Sequence, residues 1–276
     1  MKKVKHMHNP TPYLIALDLD GTLLQDNKTI SKKTKNVITR LKNEGHVIVI
    51  ATGRPYRASE IYYRELGLTT PIVNFNGAFT HDPTGSFGTY HTPVDLSVAK
   101  DVFEICDYYS VSNYLAEVKD LVYLRHPDRT IVDVFSTGNP SIYTGDLKNI
   151  MKDSPTSLLI QPKDEQMTTI NDKLKEAHAE VITHRTWSPP FQMIEIVKAG
   201  MNKAVGLQKI ANYYHIPRER IIAFGDEDND IEMLEYAGFG IAMGNAINEL
   251  KSVADDVTKS NMDNGIAYYL EDRLFL

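Results

Sequence analysis

The sequence predicts an α/β fold in which a parallel sheet with flanking helices is interrupted by an inserted α+β domain. Short apolar runs and amphipathic helical patterns alternate at the start of the chain, and the same alternation resumes near its end. Between them, strand-like and helix-like pieces mix irregularly over roughly 110 residues, the size of one domain. We therefore expect a core formed by residues 1–81 and 196–276, with an inserted domain at residues 82–195.

The composition limits the possible functions. Hydrophobic residues make up 42 % of the 276 residues, so the chain can bury a sizeable core. The net charge of −6 argues against a nucleic-acid partner, and the single cysteine, Cys106, allows no intramolecular disulfide. No apolar run reaches the ~18 residues of a membrane span, and residues 1–12 lack the apolar segment of a secretory signal. We expect a cytoplasmic protein with no membrane partner.

The first predicted strand is the apolar run Tyr13–Leu17. A helix should follow, with Ser31 as its N-cap and Gly45 just beyond its end. Its buried face is expected to contain Ile30, Thr34, Val37, Ile38 and Leu41.

Two further strands complete the first half of the core. The β-branched run His46–Ala51 predicts a buried strand, and Pro55 suits the first turn of a helix that ends near Gly67. Pro71–Phe75 predicts the third strand, closed by Asn76-Gly77. Strands that alternate with helices in this way imply a parallel sheet with right-handed crossovers.

The second half of the core shows the same alternation. The predicted elements, in order, are a helix at Asn202–His215, a strand at Ile221–Phe224, a helix near Ile231–Ala237, a strand at Phe239–Met243 and a last helix from about Asn264.

Polar residues follow the predicted strands at the sheet edge where ligands bind in doubly wound folds. They are Asp18, Asp20 and Thr22 after the first strand, Thr52, Gly53 and Arg54 after the second, Asn76 and Gly77 after the third, Lys203 at the start of a helix, and Gly225-Asp226-Glu227-Asp228-Asn229-Asp230 after the strand at Ile221–Phe224.

The chemistry of these residues favours phosphoryl transfer. Carboxylates at Asp18 and Asp226, in a place without thiols, suit Mg²⁺, which prefers oxygen ligands. Thr52, Gly53 and Lys203 offer a hydroxyl, backbone amides and a cation, which are donors for phosphate oxygens.

Two neighbouring carboxylates can divide the reaction between them. We assign Asp18 as the nucleophile that forms an aspartyl-phosphate, and Asp20 as the acid and base that serves the leaving group and water. A lone pair of this spacing is usually a turn or a helix cap, so the assignment depends on the other elements. For Asp230, capping of the next helix and orientation of Lys203 stay open alternatives.

The segments "DLDGTLL", "ATGR", "NGA" and "GDEDND", with Lys203 between the last two, resemble in order the motifs of the haloacid dehalogenase superfamily. They look most like those of its Cof-type phosphatases, whose Rossmann-like core carries an α/β cap inserted after the third strand. Asn202 and Ala204 depart from the Ser and Gly common beside the lysine. The resemblance implies the following site: metal held by Asp18, the backbone carbonyl of Asp20 and Asp226; phosphate bound by the Leu19 amide, Thr52, Gly53, Lys203 and Asn229; and Asn76-Gly77 as a loop near the substrate.

The resemblance predicts a Mg²⁺-dependent phosphatase with a mobile cap, acting on a small phosphorylated metabolite. The stretch from Ile50 to Phe79 looks closest to bacterial members that act on 5-amino-6-(5-phosphoribitylamino)uracil. Candidate cap contacts for such a substrate are Asn113, Tyr114, Tyr123 and Trp187. Sugar phosphates, pyridoxal phosphate and flavin mononucleotide are alternative substrates. A phosphotransferase or phosphomutase, and a non-catalytic sensor of a phosphorylated ligand, are alternative functions.

Overall fold

The computed structural model describes residues 12–186 and 193–273. Its strands are β1 (Leu14–Leu17), β2 (Val47–Ile50), β3 (Ile72–Asn74), β4 (Phe79–His81), β5 (Thr89–His91), β6 (Asn113–Val118), β7 (Leu121–Leu124), β8 (Ile142–Thr144), β9 (Ser157–Gln161), β10 (Ile182–Thr186), β11 (Ile194–Lys198), β12 (Ile221–Gly225), β13 (Phe239–Ala242) and β14 (Asp256–Val257). Its α-helices are α1 (Lys32–Asn43), α2 (Tyr56–Glu65), α3 (Leu96–Tyr109), α4 (Arg129–Phe135), α5 (Leu147–Ile150), α6 (Met167–His178), α7 (Lys203–Tyr213), α8 (Ile231–Tyr236), α9 (Asn248–Val253) and α10 (Gly265–Arg273). Within these ranges, no helix is both long and apolar enough to cross a bilayer.

The chain divides into two compact units. The first comprises the described residues of Met1–Gly53, Ile61–Thr89 and Asn202–Leu276. The second comprises Arg54–Glu60 and the described residues of Tyr90–Met201. The long segment of the second unit therefore begins and ends somewhat later than the 82–195 range expected from the sequence.

A five-stranded parallel sheet forms the centre of the first unit, in the order β14-β13-β12-β1-β2. Every residue of β1 and β2 is buried, as expected for apolar strands in a parallel sheet. Leu17 pairs with both Phe224 of β12 and Ile50 of β2, so these three strands end together. The predicted parallel sheet is confirmed, and its carboxyl edge lies directly before the predicted site residues.

The third predicted strand differs from expectation. β3 pairs antiparallel with β4 in a separate three-stranded sheet, and a single parallel bridge, Ala51 to Val73, joins it to the end of β2. The reason is local, because β3 contains only three residues before Phe75 adopts a positive φ of 49° and the chain turns back. The sequence prediction also missed β4, α9 and β14.

Helix α1 begins and ends where its capping residues predict. The Ser31 side chain accepts a hydrogen bond from the Thr34 backbone N–H at 3.1 Å, and Gly45 follows the C-cap with a φ of 89°. Its buried face contains Thr34, Val37, Ile38 and Leu41, as expected. Ile30, which was expected on the same face, is buried but precedes the helix.

Close packing fixes the position of helix α7. Asn202 caps it by accepting a hydrogen bond from the Val205 backbone N–H at 3.0 Å. Gly206 lies against β3 and β4: a Cβ there would lie 2.6 Å from Val73 Cγ1 and 2.7 Å from Thr80 Oγ1. Only glycine allows this approach, which places the first residue of α7, Lys203, beside the sheet edge.

The second unit is built on a six-stranded sheet in the order β10-β11-β9-β6-β7-β8, antiparallel except for the β7–β8 pair. Two clusters of buried apolar residues are seen in the described part of this unit: the larger contains residues of α3 and α6, and the smaller contains residues of α4. Arg57 forms a buried ion pair with Glu117 of β6, and its backbone N–H donates to Asp120 at 3.1 Å. These contacts explain why Arg54–Glu60 belongs to this unit.

A loop after β4, in the first unit, is organised by the buried carboxylate of Asp82. This carboxylate accepts hydrogen bonds from the backbone N–H and hydroxyl groups of Thr84 and Ser86 and from the Phe87 N–H, at 2.5–3.1 Å. Burial alone would raise the pKa of Asp82, but the hydrogen bonds from Ser86, Thr84 and Phe87 outweigh it and hold the pKa well below its usual value.

We expect Asp82→Ala to lower the free energy of unfolding by about 2–3 kcal/mol at pH 7, because several donors to a charged group lose their acceptor. Since the pKa is lowered in the folded state, this contribution is present above the unfolded pKa of about 3.9 and is lost as the pH falls below it. Urea denaturation of wild type and variant at neutral and acidic pH measures both effects. The exposed Asp26→Ala is the control, and an Asp82→Ala deficit that is unchanged at acidic pH would contradict the electrostatic explanation.

Candidate active site

The ends of three parallel strands bring the predicted carboxylates and the predicted hydroxyl to one edge of the sheet. Asp18 follows β1, and its backbone N–H donates to the Phe224 carbonyl of β12 at 3.1 Å. Asp226 follows β12, and Thr52 lies one residue beyond the bridge at Ala51. All three are buried. The structure therefore assembles residues that are up to 208 positions apart (226 − 18) in the sequence.

Lys203 lies between two carboxylates. Its Nζ is 2.7 Å from Asp18 Oδ1 and 2.7 Å from Asp230 Oδ1, and its side chain is 1 % exposed. Burial on its own would lower the pKa of Lys203, but the two carboxylates outweigh it and raise the pKa above its usual value. The lysine is thus cationic and partly neutralises the negative charge of the site.

Asp230 orients both the lysine and the loop that precedes it. One carboxylate oxygen binds Lys203, and the other accepts hydrogen bonds from the backbone N–H groups of Asp226 and Glu227 at 3.0 and 3.2 Å. Of the two alternatives left open by the sequence, orientation of Lys203 is observed. The Asp230 side chain makes no hydrogen bond that caps the next helix, α8, and instead caps the turn that precedes it. Both of its oxygens are already used by these donors.

The site contains more negative charge than Lys203 can balance. Carboxylate oxygens of Asp18, Asp226 and Asp230 lie within 4.8 Å of one another. Burial raises the pKa of Asp226 to about 7, with the Thr22 hydroxyl opposing and Asp230 adding to the rise. Burial also raises the pKa of Asp18, although Lys203 opposes this shift. A cation among these carboxylates would favour their ionised forms, so the donor set fits a metal ion.

Gly21 allows the chain after Asp20 to pass beside Asp226. It has a φ of 76°, and a Cβ at this position would collide with the Asp226 carboxylate. Thr22 then donates from its hydroxyl to Asp226 Oδ1 at 2.7 Å. The short segment after Asp18 therefore packs against the Asp226 carboxylate and forms a hydrogen bond with it.

The Asp20 side chain is partly exposed and forms an ion pair with Lys28 Nζ at 2.8 Å. Lys28 lies in a polar loop outside the motif, and no local sequence pattern indicates this contact. The Tyr62 hydroxyl donates to the Lys28 carbonyl at 3.1 Å, which helps to hold this loop.

The predicted phosphate-binding residues of two other loops lie together. The Asn229 side-chain amide donates to Asn76 Oδ1 at 2.9 Å, and the Asn76 backbone N–H donates to the Thr52 carbonyl at 3.1 Å. A Cβ on Gly53 would lie 3.2 Å from the Asn76 amide group. Leu19, which follows Asp18 in the sequence, has a buried side chain, and its carbonyl accepts a hydrogen bond from the Leu24 backbone N–H at 2.8 Å.

The described candidate cap contacts interact with other residues of the second unit. Asn113 donates from its side chain to the His126 carbonyl at 3.0 Å, and the Tyr114 hydroxyl donates to Asp107 at 2.9 Å. Tyr123 stacks against Tyr143 with ring centroids 5.3 Å apart. Trp187 lies outside the described residues. The three described residues therefore contribute to the folding of this unit.

Comparison with known proteins gives consistent results. The family model of the haloacid dehalogenase-like hydrolases matches residues 15–270. The chain is 54 % identical over 262 residues to the 5-amino-6-(5-phospho-D-ribitylamino)uracil phosphatase YitU of Bacillus subtilis (strain 168), covering 95 % of this chain and 97 % of that protein. It is 33 % identical to the phosphatase YwtE of the same organism, named for the same substrate, over 94 % of this chain and 97 % of that protein. Among solved structures, a haloacid dehalogenase-like hydrolase from Bacteroides thetaiotaomicron matches with a TM-score of 0.84 at 26 % identity, over 95 % of this chain and 99 % of that one.

Proposed function

This chain belongs to the haloacid dehalogenase-like hydrolase family, and on that premise we propose that it is a Mg²⁺-dependent phosphatase acting through an aspartyl-phosphate. The family and the α/β fold expected from the motifs are confirmed. The observation that supports the mechanism best is the buried Asp18 carboxylate beside Lys203 and Asp226. A nucleophile there is surrounded by groups that can hold a phosphoryl group.

In the proposed reaction, an oxygen of Asp18 attacks phosphorus and the bond from phosphorus to the substrate oxygen breaks. Asp20 donates a proton to the leaving alkoxide, and then removes a proton from the water that attacks the aspartyl-phosphate. Inorganic phosphate leaves and the Asp18 carboxylate is restored. The partial exposure of Asp20 suits a group that exchanges protons with substrate and water.

Five groups are proposed to bind the phosphate oxygens: the Leu19 amide, Thr52, Gly53, Lys203 and Asn229. They would offer backbone amides, a hydroxyl, an ammonium group and a side-chain amide, which together complement a tetrahedral anion. Lys203 supplies the cation, and its contact with Asp230 fixes its direction. Holding the phosphoryl group in one orientation favours in-line attack by Asp18.

Mg²⁺ would be held by the carboxylates of Asp18 and Asp226 and by the backbone carbonyl of Asp20. Asp230 is a poorer ligand, because both of its oxygens already accept hydrogen bonds. When bound, the ion would offset the repulsion between the Asp18 carboxylate and the phosphate dianion.

We propose 5-amino-6-(5-phospho-D-ribitylamino)uracil as the substrate, because the relative at 54 % identity is named for it. The core motifs would contact only the phosphoryl group, which all candidate substrates share. The inserted second unit is therefore proposed to act as the cap that supplies specificity. A small free metabolite as substrate agrees with the cytoplasmic location expected from the sequence.

Asp18→Asn tests the nucleophile. Asparagine keeps the size of the side chain but cannot form the acyl phosphate, so turnover should fall by more than about 10³-fold. The fold should persist, since an amide oxygen can still accept a hydrogen bond from Lys203. Phosphate release and thermal unfolding are measured, with Asp26→Asn as the matched exposed control. Release of phosphate at a near-normal rate by Asp18→Asn would exclude the assignment.

Metal removal is the second test. We expect EDTA to abolish phosphate release and Mg²⁺ to restore it better than Ca²⁺, whose larger coordination sphere suits this site less well. Asp226→Asn should raise the Mg²⁺ concentration for half-maximal activity by about tenfold or more, because one charged ligand is lost. Full activity after exhaustive chelation would rule out a required metal.

A substrate comparison is the third test. We expect kcat/KM for 5-amino-6-(5-phospho-D-ribitylamino)uracil to exceed the values for glucose 6-phosphate, pyridoxal phosphate and flavin mononucleotide by about tenfold or more. A preference for one of the other three compounds would change the proposed substrate but not the assignment of the chain as a phosphatase. Detection of an isomerised or transferred phosphate instead of free phosphate would favour a phosphomutase or phosphotransferase.

A further inference from the structure

The turn after β3 has an unusual backbone. Phe75, Asn76 and Gly77 have φ angles of 49°, 49° and 92° in succession. Glycine and asparagine adopt this left-handed region at low cost, but a buried phenylalanine does not. Strained positions of this kind persist where surrounding contacts determine them, and they are concentrated at functional sites.

Contacts to three other loops hold this turn. The Asn76 backbone N–H donates to the Thr52 carbonyl at 3.1 Å, and its side-chain carbonyl accepts from the Asn229 amide at 2.9 Å. Gly77 lies so close to Asn202, the N-cap of α7, that a Cβ would collide with the Asn202 carbonyl. One turn therefore touches the loops that carry Thr52, Asn229 and Lys203.

We propose that Asn76 is a positioning residue, whose side-chain carbonyl fixes the Asn229 amide relative to the Thr52-Gly53 loop for phosphate binding. This inference rests on the proposed phosphatase function. A carboxamide nitrogen carries two N–H donors, so the bond that one of them makes to Asn76 sets the direction of the other. Asparagine suits position 76 because it tolerates the left-handed backbone, reaches Asn229 and adds no negative charge beside a phosphate.

The Asn76 side chain also packs closely against the Gly53 backbone. A Cβ at Gly53 would lie 3.2 Å from both Nδ2 and Oδ1 of Asn76, so the Asn76 amide group lies directly over the Gly53 backbone. Asn76 is only 8 % exposed. Its amide plane thus lies between two groups that are proposed to bind phosphate.

A double-mutant cycle tests the inference. Asn76→Gly removes the acceptor and keeps a residue suited to positive φ, and Asn229→Ala removes the group that Asn76 is proposed to position. Binding of inorganic phosphate is measured by calorimetry with Mg²⁺ present. We expect each single variant to bind phosphate about tenfold more weakly than wild type. The double variant should bind no more weakly than the weaker of the two single variants. KM for p-nitrophenyl phosphate should rise in Asn76→Gly with little change in kcat, since uniform binding is lost.

Asn139→Gly is the matched control, because Asn139 is an exposed asparagine with a φ of 54°, and its phosphate affinity should equal that of wild type. Asn76→Ala, which also lacks a side-chain acceptor, serves as a second deletion if Asn76→Gly does not fold. The positioning role would be overturned if the two losses of phosphate affinity multiplied in the double variant, or if Asn76→Gly bound phosphate as tightly as wild type.

If wild type binds phosphate but releases none from any phosphomonoester, the proposed function fails and the cycle still tests Asn76. If wild type binds no phosphate, the positioning role is overturned, and the measured release of phosphate decides the proposed function separately.

Discussion

The contact between Lys203 and two buried aspartates is the constraint on which the site depends. Three carboxylates at one sheet edge repel each other, and burial increases the cost of their charges. Lys203 connects the end of β1 to the loop after β12, with 185 and 27 residues separating it from Asp18 and Asp230. Buried ion pairs of this kind add little net stability, since desolvation offsets attraction. Their value here lies in opposing the rise in the pKa of Asp18 that burial causes, and the proposed chemistry needs this carboxylate to ionise.

Much of this arrangement could be predicted from the sequence. The apolar runs before Asp18 and Asp226 predict adjacent parallel strands, and strands of a parallel sheet end at the same edge. The caps Ser31 and Asn202 have local patterns, so the starts of α1 and α7 were found to within a residue or two. These features share a physical cause, because each is decided by neighbours within a few positions.

The remaining features depend on side-chain contacts that no local sequence pattern indicates. The Lys28–Asp20 pair, the two-sided use of Asp230 and the hydrogen bond between Asn76 and Asn229 are of this kind. The same reason explains why Arg54–Glu60 belongs to the second unit, since its ion pair with Glu117 spans 60 residues. β3 was predicted as a regular parallel strand because its composition fits one. Its length was decided by the left-handed turn that follows it.

The burial of Lys203 also affects its chemical reactivity. Amines react with acylating agents only as accessible, unprotonated nucleophiles, and lysines are common targets of acetylation. Lys203 is 1 % exposed, and its pKa lies above the usual value, so it meets neither condition in the folded protein. Lys28, whose side chain is 58 % exposed, meets the first of them. Reactive acyl metabolites would therefore leave the central cation of the site unmodified in the folded protein.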